Sequence, residues 1–247
     1  MATSRPLANP PIKEALVDMR IASDAGIDAG RLASLRDRLK SEYPQVEERR
    51  EFKAELRIDA GRILPPSATD VGFGGLVFAS PDGSRLAQFR KDGFTLNQLK
   101  PYSGADTLIL ESLRLWEFYR ELASPVAVVR VAMRYINSLD LPYGPGDDFG
   151  KFLTAPPEMP GGTPQFVSSF LTRMVAHDPP DTVIVTQTLE HSGESGPPSV
   201  TLDIDAFLGD SLPADRDSLE ATLRRLRVLK NSVFFALLTE QALELYA

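Results

Sequence analysis

At 247 residues, 43% of them hydrophobic and 25% charged, the chain has an ordinary globular composition and is long enough to bury a sizeable core. A formal net charge of −7 disfavours general affinity for nucleic acid, and the absence of cysteine excludes disulfides, thiolate metal sites and a cysteine nucleophile. The proline-broken start has no apolar h-region, and no apolar run nears the roughly 20 residues that span a bilayer, so a cytoplasmic protein free of membranes is expected.

Residues 14–21 alternate as a strand does, with Ala15, Val17, Met19 and Ile21 on one face and Leu16, Asp18 and Arg20 on the other. Gly26 and Gly30 interrupt the pattern, and Leu32, Leu35, Leu39 and Tyr43 then recur at helical spacing up to Pro44. Residues 46–58 alternate again, and 61–75 read as a loop. Strands at 74–80 and 84–92 flank Asp82-Gly83, a hairpin signal because glycine supplies the positive φ of the turn. Gly93 is expected to hold a positive φ or a crowded backbone. A helix over 107–122 carries Ile109, Leu113, Trp116 and Tyr119 on one stripe.

The second half opens with a strand over 126–139, followed by a segment rich in glycine and proline with a short helical piece near 148–153. Phe166, Phe170, Arg173 and Met174 predict a short helix. Strands at 182–190 and 199–207 are split by the polar loop 191–198. A long helix over 218–245 is N-capped by Asp217 in a capping-box variant with Glu220. Its stripe of Leu219, Leu223, Leu226, Val233 and Leu237 is broken by Lys230, and Thr239 is a candidate cap for a fresh turn.

The element order predicts an α+β fold: a curved, largely antiparallel sheet with helices on one face. One compact unit over 1–247 is expected, with quasi-repeated halves 12–124 (β-α-β-β-β-α) and 125–247 (β-α-α-β-β-α). The expected core includes Val17, Met19, Phe52, Leu56, Phe89, Trp116, Val129, Val131 and Phe234.

Three segments together resemble a sporadically distributed prokaryotic family of uncharacterised proteins of similar length. They are Asn9-Pro-Pro-Ile-x-Glu-Ala15, Gln88-Phe-Arg-x-Asp-Gly-Phe-Thr-x-Asn97 with Leu99 and Pro101-Tyr102, and Arg134-Tyr-Ile-Asn137 running into Leu141-Pro142. The terminal helix, with Asn231, Phe234 and Thr239, joins the likeness. The resemblance implies full-length kinship and carries over no activity and no catalytic residue.

Histidine chemistry has poor raw material, since His177 and His191 lie in loops or element ends beside Asp178, Glu190 and Ser192. Gly72-Phe-Gly74-Gly75 lacks the spacing of a phosphate loop, and no cofactor motif is present. Asp203 with Asp205, or Asp147 with Asp148, would suit a hard cation but read more simply as solvated pairs, so no metal is expected. The strand-face charges carry more weight. Arg20, Arg90, Arg130 and Arg134, with Glu55 and Asn137, are the candidate ligand- or partner-binding residues, because arginine's planar fork takes carboxylate or phosphate bidentately. The plain alternative is a solvated face of cross-strand ion pairs worth about 0.2–1 kcal/mol each.

The leading expectation is a non-catalytic binding protein that uses this face for a protein partner or a small anionic ligand. The alternative is an enzyme acting on a phosphorylated or carboxylated substrate held by the strand arginines, with Glu55 or Glu51 as acid or metal ligand. Closure of the sheet into a tunnel would favour the enzyme, and an open, solvated sheet would favour binding or a merely solvated face. Oligomeric state is not implied.

Overall fold

The computed structural model describes residues 5–22, 27–55, 58–59, 62–63, 67–142, 148–190 and 199–247. Strand β1 (Ile12–Ile21) is followed by short helices α1 (Ala29–Ala33) and α2 (Leu35–Leu39). Then come β2 (Gln45–Glu55), the small β3–β4 pair (Ile58–Asp59, Arg62–Ile63), β5 (Ser67–Ala79), β6 (Arg85–Arg90), β7 (Gly93–Leu99) and helix α3 (Ala105–Ala123). The rest comprises β8 (Val128–Asp140), a 3-10 turn at Phe149–Lys151, β9 (Phe170–Asp178), β10 (Asp181–Glu190), β11 (Ser199–Leu208), α4 (Arg216–Leu237) and α5 (Glu240–Glu244).

The main strands form one antiparallel nine-stranded sheet in the order β2-β5-β6-β7-β1-β8-β11-β10-β9. It is open, with β2 and β9 as edges, and α+β is the fold class. Strands β1 and β8 pair antiparallel at its centre. Outward from that seam, β7, β6 and β5 lie on one side and β11, β10 and β9 on the other. Helices α3 and α4 cover the apolar face, α3 over β7 and β1, α4 over β8, β11 and β10. Helices α1 and α2 sit beside α3, tied by Arg31 to the Leu122 carbonyl and by Arg38 to Glu121.

Alternation dictates the core. Val17, Met19, Phe89, Trp116, Val131 and Phe234 are buried as the patterns predicted, and the Trp116 indole N–H donates to the Ala214 carbonyl at 3.0 Å. Phe52 departs from expectation. It lies on edge strand β2 and is exposed, because no described residue covers that part of the edge. Leu56 lies outside the described residues. Val129 is only half-buried, because the β1–β8 register shifts between Arg20/Arg130 and Ile21/Val128. One extra residue there reverses the alternation and turns Val128 into the core instead.

Other boundaries also differ. The expected loop 61–75 contains Arg62–Ile63 of the small hairpin and the first residues of β5. The expected helix around 166–174 is the edge strand β9. The terminal helix starts two residues earlier than predicted: Asp215, not Asp217, is its N-cap, accepting from the Ser218 N–H at 2.9 Å. It stops at Leu237, where the chain turns to bond Thr154 and Phe152, and Thr239 caps α5 by accepting from the Ala242 N–H.

Candidate functional site

The polar face of the sheet is built around Asp18. Its neighbours across the strands are Thr95 on β7 and Ala132 on β8. Its carboxylate accepts from Thr95 Oγ1 (2.7 Å), Arg90 Nη2 (2.9 Å), Arg130 Nη1 (3.0 Å) and Arg20 Nε (3.1 Å). Burial alone raises this carboxyl, but Arg90, the Thr95 hydroxyl, Arg20 and Arg130 outweigh it and hold the group below the usual carboxylate range.

From this hub the pairing spreads along the sheet. Arg130 also donates to Asp205 at 2.7 Å and lies 4.7 Å over the Phe207 ring, and Arg134 pairs with Asp203. Burial raises the Asp205 carboxyl despite the neighbouring Arg130 and Arg134. On the other side Arg49 donates to Gln88, Gln88 to Asn97, and Asn97 to Glu14. The result is a ladder of matched polar groups from β2 to β11.

The predicted site residues therefore separate. Arg90 is buried, and its guanidinium donates to Asp18, Thr95 and Asp92. Glycines face it on both neighbouring strands, Gly75 on β5 and Gly93 on β7. Arg20 and Arg134 keep side-chain exposures of 50% and 42%, so they bear an ion pair and still reach solvent. Glu55 ends β2, and its side chain lies outside the described ones. Asn137 is on the opposite, helix-covered face, where its amide donates to the Leu202 carbonyl at 3.0 Å.

The acids Asp203 and Asp205 are neutralised by arginines, and no cluster of metal-binding side chains occurs among the described residues. Asp148 accepts from the Gly150 N–H at the start of the 3-10 turn, whereas Asp147 and His191 lie outside the described residues. His177 lies at the end of strand β9, one residue before its last, with Nδ1 3.1 Å from Thr182 Oγ1.

A second arrangement occupies the helix side, where the chain's first described residues pass between α4 and the β7–α3 connection. It is a cleft of about 580 Å³. Its walls bring together Pro10, Ile12, Tyr102, Tyr135, Asn137 and Phe234, which come from four segments far apart in the sequence. The Tyr102 and Tyr135 hydroxyls are 2.7 Å apart, and burial raises both phenols.

Lys230 closes the same cleft, with its Nζ 3.7 Å from the centroid of the Tyr135 ring. Sequence reading marked this lysine only as a break in a leucine stripe. That lone cation was the available signal, but its surroundings come from distant segments and no local pattern announces them.

Among the described residues no helix is long and apolar enough to cross a membrane. No family model matches the chain, and no curated protein matches it.

Proposed function

We propose that the chain is a non-catalytic binding protein that docks a protein partner on the open polar face of its sheet. One observation carries this reading. The ladder register runs from Asp205 through Ile184 to Val175, and from Thr201 through Thr188 to Leu171. Exposed aliphatic side chains of β9, Leu171 at 69% among them, thus share a face with the rigid ion-pair ladder.

A surface that joins aliphatic contacts to fixed arginines has the composition of a protein interface rather than of a phosphate-binding groove. The net charge of −7 points the same way. Arg20 and Arg134, paired yet exposed, are the strand arginines best placed to meet a partner's acids. An open sheet favours this reading over an enzyme whose arginines would line a closed tunnel.

The test is affinity capture followed by quantitative binding with the full chain. Leu171→Lys with Val175→Glu should weaken a captured partner at least tenfold, while Val228→Glu, on the exposed side of α4, should leave it unchanged. Sedimentation of the protein alone distinguishes a second copy from a different partner. Binding that survives the double substitution would overturn the proposal.

A further inference from the structure

Lys230 lies in the middle of α4, on the side that packs against the sheet, and is only 8% exposed. A buried ammonium ordinarily has a carboxylate beside it, because charge without a partner is expensive in an apolar setting. Among the described residues Lys230 has no ion pair and no hydrogen bond, and its amine meets the face of Tyr135. Asp106, the partner of the cleft residue Arg227 (2.8 Å), is also held by Arg224 (3.3 Å).

The amine does border open space. It lines the cleft of about 580 Å³, a size that suits a small organic molecule. Apolar surface comes from Leu7 and Pro10 of the first described segment and from Phe234, one turn further along α4. The arginines of the cleft, Arg5 and Arg227, are held by Glu240 and Asp106. That leaves Lys230, among the described residues, as the cleft cation without an acidic partner. The wall formed by the first described residues is fastened by Asn9 N–H to the Tyr246 carbonyl and by Ser138 N–H to the Pro11 carbonyl, so the cleft is a built feature of the fold.

We propose that this cleft binds a small organic carboxylate, its apolar body against Leu7, Pro10 and Phe234 and its carboxylate on the Lys230 amine. Apolar walls beside a cation that, among the described residues, has no acidic partner select for an apolar molecule with one anionic end. Inorganic phosphate lacks the apolar body, and an uncharged analogue leaves the amine unmatched. The site is on the opposite side of the sheet from the proposed partner surface and does not depend on it.

Protonation supports the assignment. Burial, helped by the Arg227 cation, brings the Lys230 amine down to about 7. Among the described residues, the other titratable or charged groups around the cleft are Tyr135 from β8, Tyr102 from the β7–α3 connection, the Arg5–Glu240 pair joining the first described segment to α5, and the Arg227–Asp106 pair joining α4 to α3. A carboxylate placed on the amine would favour its ammonium form, so binding above pH 7 should draw a proton from solution.

Calorimetric titration of the full chain at pH 8 uses phenylacetate and hexanoate as probes, with phenylacetamide and inorganic phosphate as comparators. A carboxylate probe should bind at least tenfold more tightly than the amide and than phosphate. It should take up protons, read from the dependence of the heat on buffer. Lys230→Met, which keeps the apolar bulk, should lose at least tenfold in affinity and the proton uptake.

If that variant does not fold, protection of Lys230 in the unaltered protein from acetic anhydride, read by mass spectrometry, replaces it. The carboxylate probe should slow acetylation of this lysine at least tenfold, and the amide should not. Equal binding of acid and amide, preference for phosphate, absence of carboxylate binding, or unchanged affinity in Lys230→Met would each overturn the proposal.

Discussion

Arg90 and Lys230 are buried to the same degree, each 8% exposed, on opposite faces of one sheet. Their surroundings differ in kind. Arg90 is matched by Asp18, Asp92 and Thr95, whereas Lys230 meets an aromatic ring and a cleft. A buried cation with its carboxylate is a fastening, since removing either partner strands the other. A buried cation without one costs stability, because its charge is desolvated with no carboxylate to offset it. Arginine suits the first role because its rigid fork satisfies several acceptors and stays charged, and lysine suits the second because its amine can give up the proton.

The largest effect is expected from breaking the matched side. Asp18→Ala leaves Arg90 and Arg130 without their shared carboxylate and should lower stability to chemical denaturation by about 3–5 kcal/mol. A loss near zero would mean that solvent replaces the pairing. The Asp18 carboxyl is held below its ordinary value, so its contribution is complete above about pH 4 and is lost as pH falls through the folded-state pKa. The variant should lack that part of the acid transition.

Next in size is Gly93→Ala. A Cβ there would stand 2.1 Å from the Met19 carbonyl oxygen, at a φ of +154°. The β1–β7 pair would have to part, which should cost about 1–3 kcal/mol in a thermal melt. An unchanged melting temperature would show that β7 can shift freely against β1. The smallest stability effect belongs to Leu171→Lys with Val175→Glu, each within about 0.5 kcal/mol as exposed substitutions, even though partner binding should fall sharply.

The same contrast explains what could be read from sequence. Strands with one buried face declared themselves: β11 alternates half-buried and buried at every position, and its partner β10 was legible with it. Edge strand β9 is exposed on nearly every residue, so it lacks alternation, and Phe170, Arg173 and Met174 imitate helical spacing. Phe52 misled for the same reason on the opposite edge.

The strand arginines were visible as residues and cross-strand ion pairing was the plain alternative, but their particular partners were not legible. Asp18 looked like one strand charge among several until register placed Thr95 and the arginines around it. Asn137 shows the limit of grouping by motif. It lies two residues from Tyr135 on the helix-covered face, while Arg134 points its charge to the other side.

The distinction between the two cations is tested most directly by urea unfolding of Arg90→Met and Lys230→Met, measured together from pH 6 to pH 10. Arg90→Met should lower stability by about 3–5 kcal/mol, because it leaves Asp18 without its most buried arginine, and Lys230→Met should leave stability unchanged or raise it by about 1–4 kcal/mol. The Lys230 amine titrates near 7 in the folded protein and higher when unfolded, so the unfolded chain binds more protons above pH 7. Stability of the unaltered protein should therefore rise between about pH 7 and pH 10, and Lys230→Met should lack that rise. A Lys230→Met variant as damaged as Arg90→Met, with the rise intact, would contradict the view of Lys230 as an unmatched cation awaiting a ligand.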